Sequence, residues 1–122
     1  MSAKVFIDTN VLVYASDDEN PVKRHLARTL IAQHAGVTVI STQVLQEYFV
    51  AATRKLAVDP LAAKAVVHEM GSACETVIVT PGIVSRAIDG SALWQVSFWD
   101  ALIIAAAAAR RLMESYRAHG DA

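Results

Sequence analysis

Cysteine is almost absent from this chain: Cys74 is the only one in 122 residues. An internal disulfide is therefore excluded, and a lone thiol is typical of proteins from a reducing cytosol. We expect a cytoplasmic protein in which Cys74 is a small core residue. The four histidines have no spacing typical of a zinc site.

Basic residues are not in excess either, since 11 Lys and Arg stand against 12 Asp and Glu, for a net charge of −1. This balance argues against a strong, general nucleic-acid binder, but it leaves a weak or metal-dependent site open. The hydrophobic fraction is 54% and the net charge is close to zero. Because such a composition leaves apolar residues on the surface, we expect a partner to cover part of it.

Long apolar runs are missing as well. The longest one, residues 101–109, is well short of the roughly 20 residues that a membrane-spanning helix needs. Asp8 interrupts the first apolar run almost as soon as it starts, so a signal peptide is not expected. The sequence predicts no association with a membrane.

Short β-branched segments alternate with helical ones along the chain. Strands are predicted at residues 5–7, 37–40 and 76–79. Helices are predicted from Pro21 to about Ala35, from Ser41 or Thr42 to about Leu56, from Asp59-Pro60 to near Gly71, from Pro81 to near Gly90, and from Ser97 to at least Arg111. This alternation predicts one α/β domain over residues 1–122, a three-layer α/β/α sandwich with a mainly parallel sheet.

Asp8 lies between two apolar segments, directly after the first predicted strand. Functional groups of parallel sheets gather just past the carboxyl ends of the strands, which makes Asp8 a candidate site residue. The alternative is an Asx-turn, in which Asp8 or Asn10 hydrogen-bonds local backbone and shapes the exit from the strand.

Glu47 is a second carboxylate in apolar surroundings. Three of its four helical neighbours at spacings of three and four are apolar, so it does not belong to a charged helix face. The alternative is a solvated glutamate at the flank of the helix, for which Arg54 or Arg24 could serve as a partner.

Asp100 is the third such carboxylate, and nine apolar residues follow it. It therefore marks the solvent-exposed end of a buried helix. Ser97 and Asp100 also fit the spacing of a capping box, in which both side chains satisfy backbone N–H groups at the start of a helix. The capping and functional interpretations are compatible with each other.

Together the three acids predict a metal site. Carboxylates that converge repel one another unless they are protonated or bind a cation. Oxygen ligands without a Cys or His cluster suit Mg²⁺ or Mn²⁺.

Three segments carry a resemblance to a known family: "FIDTNVLVYA", "STQVLQEYFVAATRK" and "VSFWDALIIAAA", in that order. The chain resembles the PIN-domain nucleases, and most closely the VapC-type toxins of bacterial toxin–antitoxin pairs. By position, Asp8, Glu47 and Asp100 match the first three acids of the family. Thr9 and Asn10 match the polar residues that support the first acid.

The resemblance implies a small α/β/α sandwich that forms a homodimer and binds Mg²⁺ or Mn²⁺ in an acidic site. It also implies cleavage of RNA in the cytoplasm and inhibition by a cognate antitoxin. Either the predicted helix at residues 60–71 or the one at residues 81–90 could form the dimer interface. Substrate phosphates could be steered by Lys23, Arg24 and Arg28 or by Arg54 and Lys55, all of which are also compatible with ordinary solvated helix faces.

The end of the chain departs from the family pattern. The family continues past the last helix with a glycine turn, a short strand and a fourth acid, whereas this chain reads "ARRLMESYRAHGDA". We therefore expect the last edge strand to be missing or altered. Glu114 or Asp121 could replace the fourth acid, although neither lies in the expected context.

Two other functions are compatible with parts of the sequence. A PIN module that is catalytically weakened or inactive would bind antitoxin or RNA without cleaving, and the altered end favours it. A phosphatase of the haloacid-dehalogenase type also begins with an apolar strand that ends in Asp. That class needs a second Asp two residues later, where this chain has Asn10, and it leaves Glu47 unexplained.

Overall fold

Three short strands form the sheet of the computed structural model, which describes the backbone of residues 3–120 and the side chains of residues 3–111. The strands are β1 (Val5–Phe6), β2 (Thr38–Ser41) and β3 (Glu75–Val77), in the order β1-β2-β3. Strands β1 and β2 are parallel, with Val5 opposite Thr38 and Phe6 opposite Val39. The α/β class and the parallel sheet predicted from the sequence are confirmed.

Six helices are described between residues 3 and 120. They are α1 (Thr9–Ala15), α2 (Pro21–Gln33), α3 (Thr42–Arg54), α4 (Pro60–Ala73), α5 (Pro81–Trp94) and α6 (Phe98–Gly120). Proline occupies the first turn of α2, α4 and α5, where its missing N–H would have no partner within the helix. Gly36 follows α2 with a φ of 85°, a left-handed conformation that glycine adopts without steric cost.

Capping side chains just before three of the helices account for the positions at which these helices begin. Ser41 caps α3 by accepting a hydrogen bond from the Val44 N–H at 3.3 Å. Asp59 caps α4, and Thr80 caps α5 in the same way. A cap of this kind satisfies N–H groups that the first turn of a helix leaves without a backbone partner.

Two compact units make up the chain, Met1–Thr76 and Val77–Ala122. The first, called the N-terminal unit here, contains β1, β2 and helices α1 to α4, with β3 at its boundary. In this unit α3 packs against α1, α4 and β2, and α1 packs against α2. Its fully buried side chains include Leu12, Val39, Ile40, Val44 and Tyr48.

The second unit, called the C-terminal unit, is built on the packing of α5 against α6. Small residues of the alanine-rich α6 allow this close packing. The core contains Ile83, Ala87, Ala101, Leu102, Ala105 and Ala106. No strand follows α6 among the residues that the structure describes, because the helix continues to Gly120.

Several predicted boundaries differ from the structure. Helix α1 was not predicted as a helix; its seven residues include the β-branched Val11 and Val13, which favour strands. Helix α5 was expected to end near Gly90 but continues to Trp94. Any other residue at position 90 would place a Cβ only 2.5 Å from the Trp94 ring. Glycine has no Cβ and therefore leaves room for the indole.

In the described part of the chain, no helix has both the length and the apolar character that crossing a membrane demands. Cys74 is buried and free, as expected of a core residue. The Thr38 hydroxyl donates a hydrogen bond to its sulfur at 3.2 Å.

Candidate active site

Asp8 follows β1 and is the N-cap residue of α1. It is exposed, and its side chain makes no capping hydrogen bond to α1. The Val11 N–H is instead satisfied by the backbone carbonyl of Asp8 at 3.1 Å. The Asx-turn proposed as the alternative role of Asp8 is therefore not formed.

Glu47 is held from two sides by neutral hydrogen-bond donors in the N-terminal unit. The Gln43 side-chain amide donates to Glu47 Oε1 at 2.5 Å, and the Thr9 hydroxyl donates to Glu47 Oε2 at 3.4 Å. Gln43 and Thr9 are both buried, whereas Glu47 is only partly buried. Each oxygen of this partly buried carboxylate is therefore restrained by a hydrogen bond.

The hydrogen bond from Thr9 to Glu47 also locates Asp8. Thr9 follows Asp8 directly in the chain, so this bond brings the end of β1 next to the carboxylate of Glu47 on α3. Two of the three predicted acids therefore come from neighbouring segments of the same unit.

No ion pair between Glu47 and Arg24 or Arg54 occurs among the side chains of residues 3–111. Arg24 pairs with Asp18 at 2.6 Å instead. The pairing of Glu47 with Arg24 or Arg54 that the sequence suggested is therefore not formed among these side chains.

Helix α1 is positioned at its C-terminal end by a second contact to α3. The hydroxyls of Ser16 and Tyr48 lie 2.7 Å apart, and Tyr48 is fully buried. The loop that follows α1 is ordered by buried Asp17, whose carboxylate accepts from the Glu19 N–H and from the Asn20 amide. These contacts hold the short helix whose first residue supports Glu47.

Asp100 belongs to the C-terminal unit and lies in the first turn of α6. Its N–H donates to the Ser97 hydroxyl at 3.1 Å, which confirms the predicted capping role of Ser97. The Asp100 side chain is exposed. Its convergence with Asp8 and Glu47 stays a prediction.

Within either unit, the described residues contain no group of three or more His, Cys, Asp or Glu side chains that could hold a metal ion. The donor chemistry of the N-terminal unit nevertheless fits a hard divalent cation. Carboxylate oxygens are the preferred ligands of Mg²⁺ and Mn²⁺. An ionised carboxylate has about four acceptor positions, so Glu47 retains acceptor capacity beside its two hydrogen bonds.

The basic residues suggested for steering phosphates have different surroundings. Arg24 pairs with Asp18, Arg28 donates to the Ala15 carbonyl at 2.8 Å, and the Lys23 ammonium lies 4.8 Å from the centre of the Tyr14 ring. These three side chains therefore help to join α2 to α1 and the loop that follows it. Arg54 and Lys55 are exposed at the end of α3.

Gln43 is the site residue that sequence reasoning missed. Its spacing of four from Glu47 places the two side chains one above the other on α3, and that spacing was the available signal.

Two acids were suggested as a fourth ligand, Glu114 and Asp121. Their side chains lie outside those that the structure describes.

A comparison with protein-family models matches residues 5–113 to the PIN domain. The chain belongs to the PIN-domain family. The match includes all three segments on which the resemblance was based, and it covers both units of this PIN domain. No curated protein sequence matches the chain.

Among solved structures, the PIN domain is similar to the Mycobacterium tuberculosis toxin VapC20, described as a sarcin–ricin loop-cleaving toxin. The TM-score is 0.65 at 21% sequence identity, over 94% of this chain and 82% of that chain. At this identity, the likeness establishes a common fold.

Proposed function

We propose that this PIN domain is a VapC-type endoribonuclease, the toxin of a type II toxin–antitoxin pair, which hydrolyses RNA phosphodiester bonds with Mg²⁺ or Mn²⁺. The observation that carries the proposal is the hydrogen bond from Thr9 to Glu47, which brings the Asp8 segment beside an oriented carboxylate. Membership of the PIN family and the fold shared with a sarcin–ricin loop-cleaving toxin support it.

In this proposal Asp8, Glu47 and Asp100 would hold the divalent ion, which would supply a Lewis acid for the scissile phosphodiester and for a bound water. Thr9 and Gln43 hold the Glu47 carboxylate, so it does not need to reorganise when a cation arrives. Ser97 fixes the backbone at Asp100 through its capping hydrogen bond. Asn10 is exposed two residues after Asp8. We propose that it supports that acid, as its match to the family pattern implies.

The proposal includes the partners expected of such a toxin. These are an RNA substrate, a cognate antitoxin that inhibits cleavage, and a second copy of the chain in a homodimer, all in the cytoplasm.

A catalytically weakened PIN module, which binds antitoxin or RNA without cleaving, is the second candidate. It is favoured by the helical conformation of residues 110–120, where the family pattern has a glycine turn. In a module of this kind, a site without the fourth acid would bind the ion, or a second ion, more weakly.

The test incubates the purified protein with structured RNA in Mg²⁺ or Mn²⁺, with and without EDTA. Asp8→Asn, Glu47→Gln and Asp100→Asn are assayed beside it. Glu69→Gln is the matched control. Glu69 is exposed on α4, so this variant removes one negative charge away from the proposed site.

Cleavage that is lost with EDTA and with each of the three site variants, but retained by Glu69→Gln, supports the nuclease. RNA that is bound but uncut supports the weakened module. Release of phosphate from a monoester, without cleavage of RNA, would overturn both in favour of a phosphatase.

A further inference from the structure

The carboxylate of Glu47 accepts a hydrogen bond at each oxygen, from two donors of different origin. Gln43 lies one turn earlier on the same helix, whereas Thr9 begins α1. The bond from Thr9, at 3.4 Å, is longer than is usual for a hydrogen bond between two oxygens. Gln43 is therefore the closer of the two donors that restrain the carboxylate.

Gln43 is also more deeply buried than the group that it contacts. Its side chain is 4% exposed, whereas Glu47 is only partly buried. A pair at this spacing on a solvated helix face contributes little to stability. Here the donor is buried in the unit and the acceptor is partly exposed, so the bond ties a partly solvent-accessible carboxylate to a buried side chain.

The donors are neutral, and this matters for an ion-binding carboxylate. A lysine or arginine in place of Gln43 would neutralise Glu47 and compete with a divalent cation. An amide and a hydroxyl restrain the carboxylate without supplying a positive charge. Partners of this kind orient the ligands of metal sites.

We infer that Gln43 is a positioning residue, which holds the Glu47 carboxylate in the orientation that binds the divalent ion. The inference rests on the proposed function for the presence of an ion at Glu47. Thr9 contributes a weaker restraint on the other oxygen.

The first experiment measures Mn²⁺ affinity by calorimetry without RNA, in Gln43→Met and in the wild type. Methionine keeps the length of the side chain and removes the amide. Gln46→Met is the matched control, because Gln46 is exposed on the same helix and makes no hydrogen bond to Glu47. Urea unfolding without metal reports whether each variant stays folded.

We expect Gln43→Met to weaken Mn²⁺ binding by roughly 10-fold to 100-fold and Gln46→Met to leave it unchanged. Thr9→Val should weaken binding less, and Thr9→Ser, which keeps the hydroxyl, should retain it. An affinity in Gln43→Met equal to that of the wild type would overturn the inference.

A second readout separates this inference from the proposed function. In a ¹H–¹⁵N spectrum of the metal-free protein, the side-chain amide of Gln43 should shift in Glu47→Gln and not in Glu69→Gln. If the wild type binds no Mn²⁺ but the Gln43 amide shifts in Glu47→Gln, the proposed function is overturned. The hydrogen bond between Gln43 and Glu47 is then still supported. An amide that does not shift would overturn the positioning role itself.

Discussion

The hydroxyls of Ser16 and Tyr48 lie 2.7 Å apart although the residues are 32 positions apart in the sequence. Tyr48 directly follows Glu47, whose carboxylate accepts from Thr9 at the other end of α1. Two consecutive residues of α3 therefore contact both ends of α1. A helix of seven residues is not stable alone, so these contacts account for its formation.

Removing the Tyr48 hydroxyl tests this support of α1. Tyr48→Phe should lower the free energy of unfolding by about 1 kcal/mol, because the hydrogen bond to Ser16 is lost while the buried ring remains. Urea denaturation measures the change. Tyr14→Phe, at a partly exposed ring, is the control and should change stability by less than about 0.5 kcal/mol. Equal losses in the two variants would contradict the account of α1.

Two helical glycines should respond differently to alanine. Gly71 on α4 has open space where a Cβ would be, so Gly71→Ala should stabilise the protein by about 0.5 to 1 kcal/mol. In Gly90→Ala the new Cβ would lie 2.5 Å from Trp94, which must move. That variant should be less stable than Gly71→Ala by about 1 kcal/mol or more.

Tryptophan fluorescence provides an independent check on Gly90. Gly90→Ala should change the emission spectrum, because the Trp94 ring is displaced, whereas Gly71→Ala should not. If Gly90→Ala and Gly71→Ala stabilise the protein equally and neither changes the emission spectrum, Trp94 does not pack over Gly90.

Much of the fold was predictable because its signals are local. Prolines at residues 21, 60 and 81 mark the first turns of helices, and β-branched runs mark strands. Helix α1 was missed because tertiary contacts stabilise it and its composition favours a strand. Gly90 is a buried residue within α5, where Trp94 leaves no room for a Cβ, so this glycine reflects packing and not the end of the helix.

The site was predictable in part for the same reason. The position of Asp8 after β1 follows from a local pattern, and so does the cap that Ser97 provides before Asp100. The contact between Thr9 and Glu47 joins residues 38 positions apart, and no local pattern specifies it. The role of Gln43 depends on burial, which sequence spacing alone does not reveal.

The most direct test is a crystal structure of the protein soaked in Mn²⁺, with anomalous diffraction recorded at the manganese edge. We predict an anomalous peak coordinated by carboxylate oxygens of Asp8, Glu47 and Asp100, with the Gln43 amide still bonded to Glu47. A structure in which these three carboxylates lie on separate surfaces, or in which manganese binds elsewhere, would contradict the account.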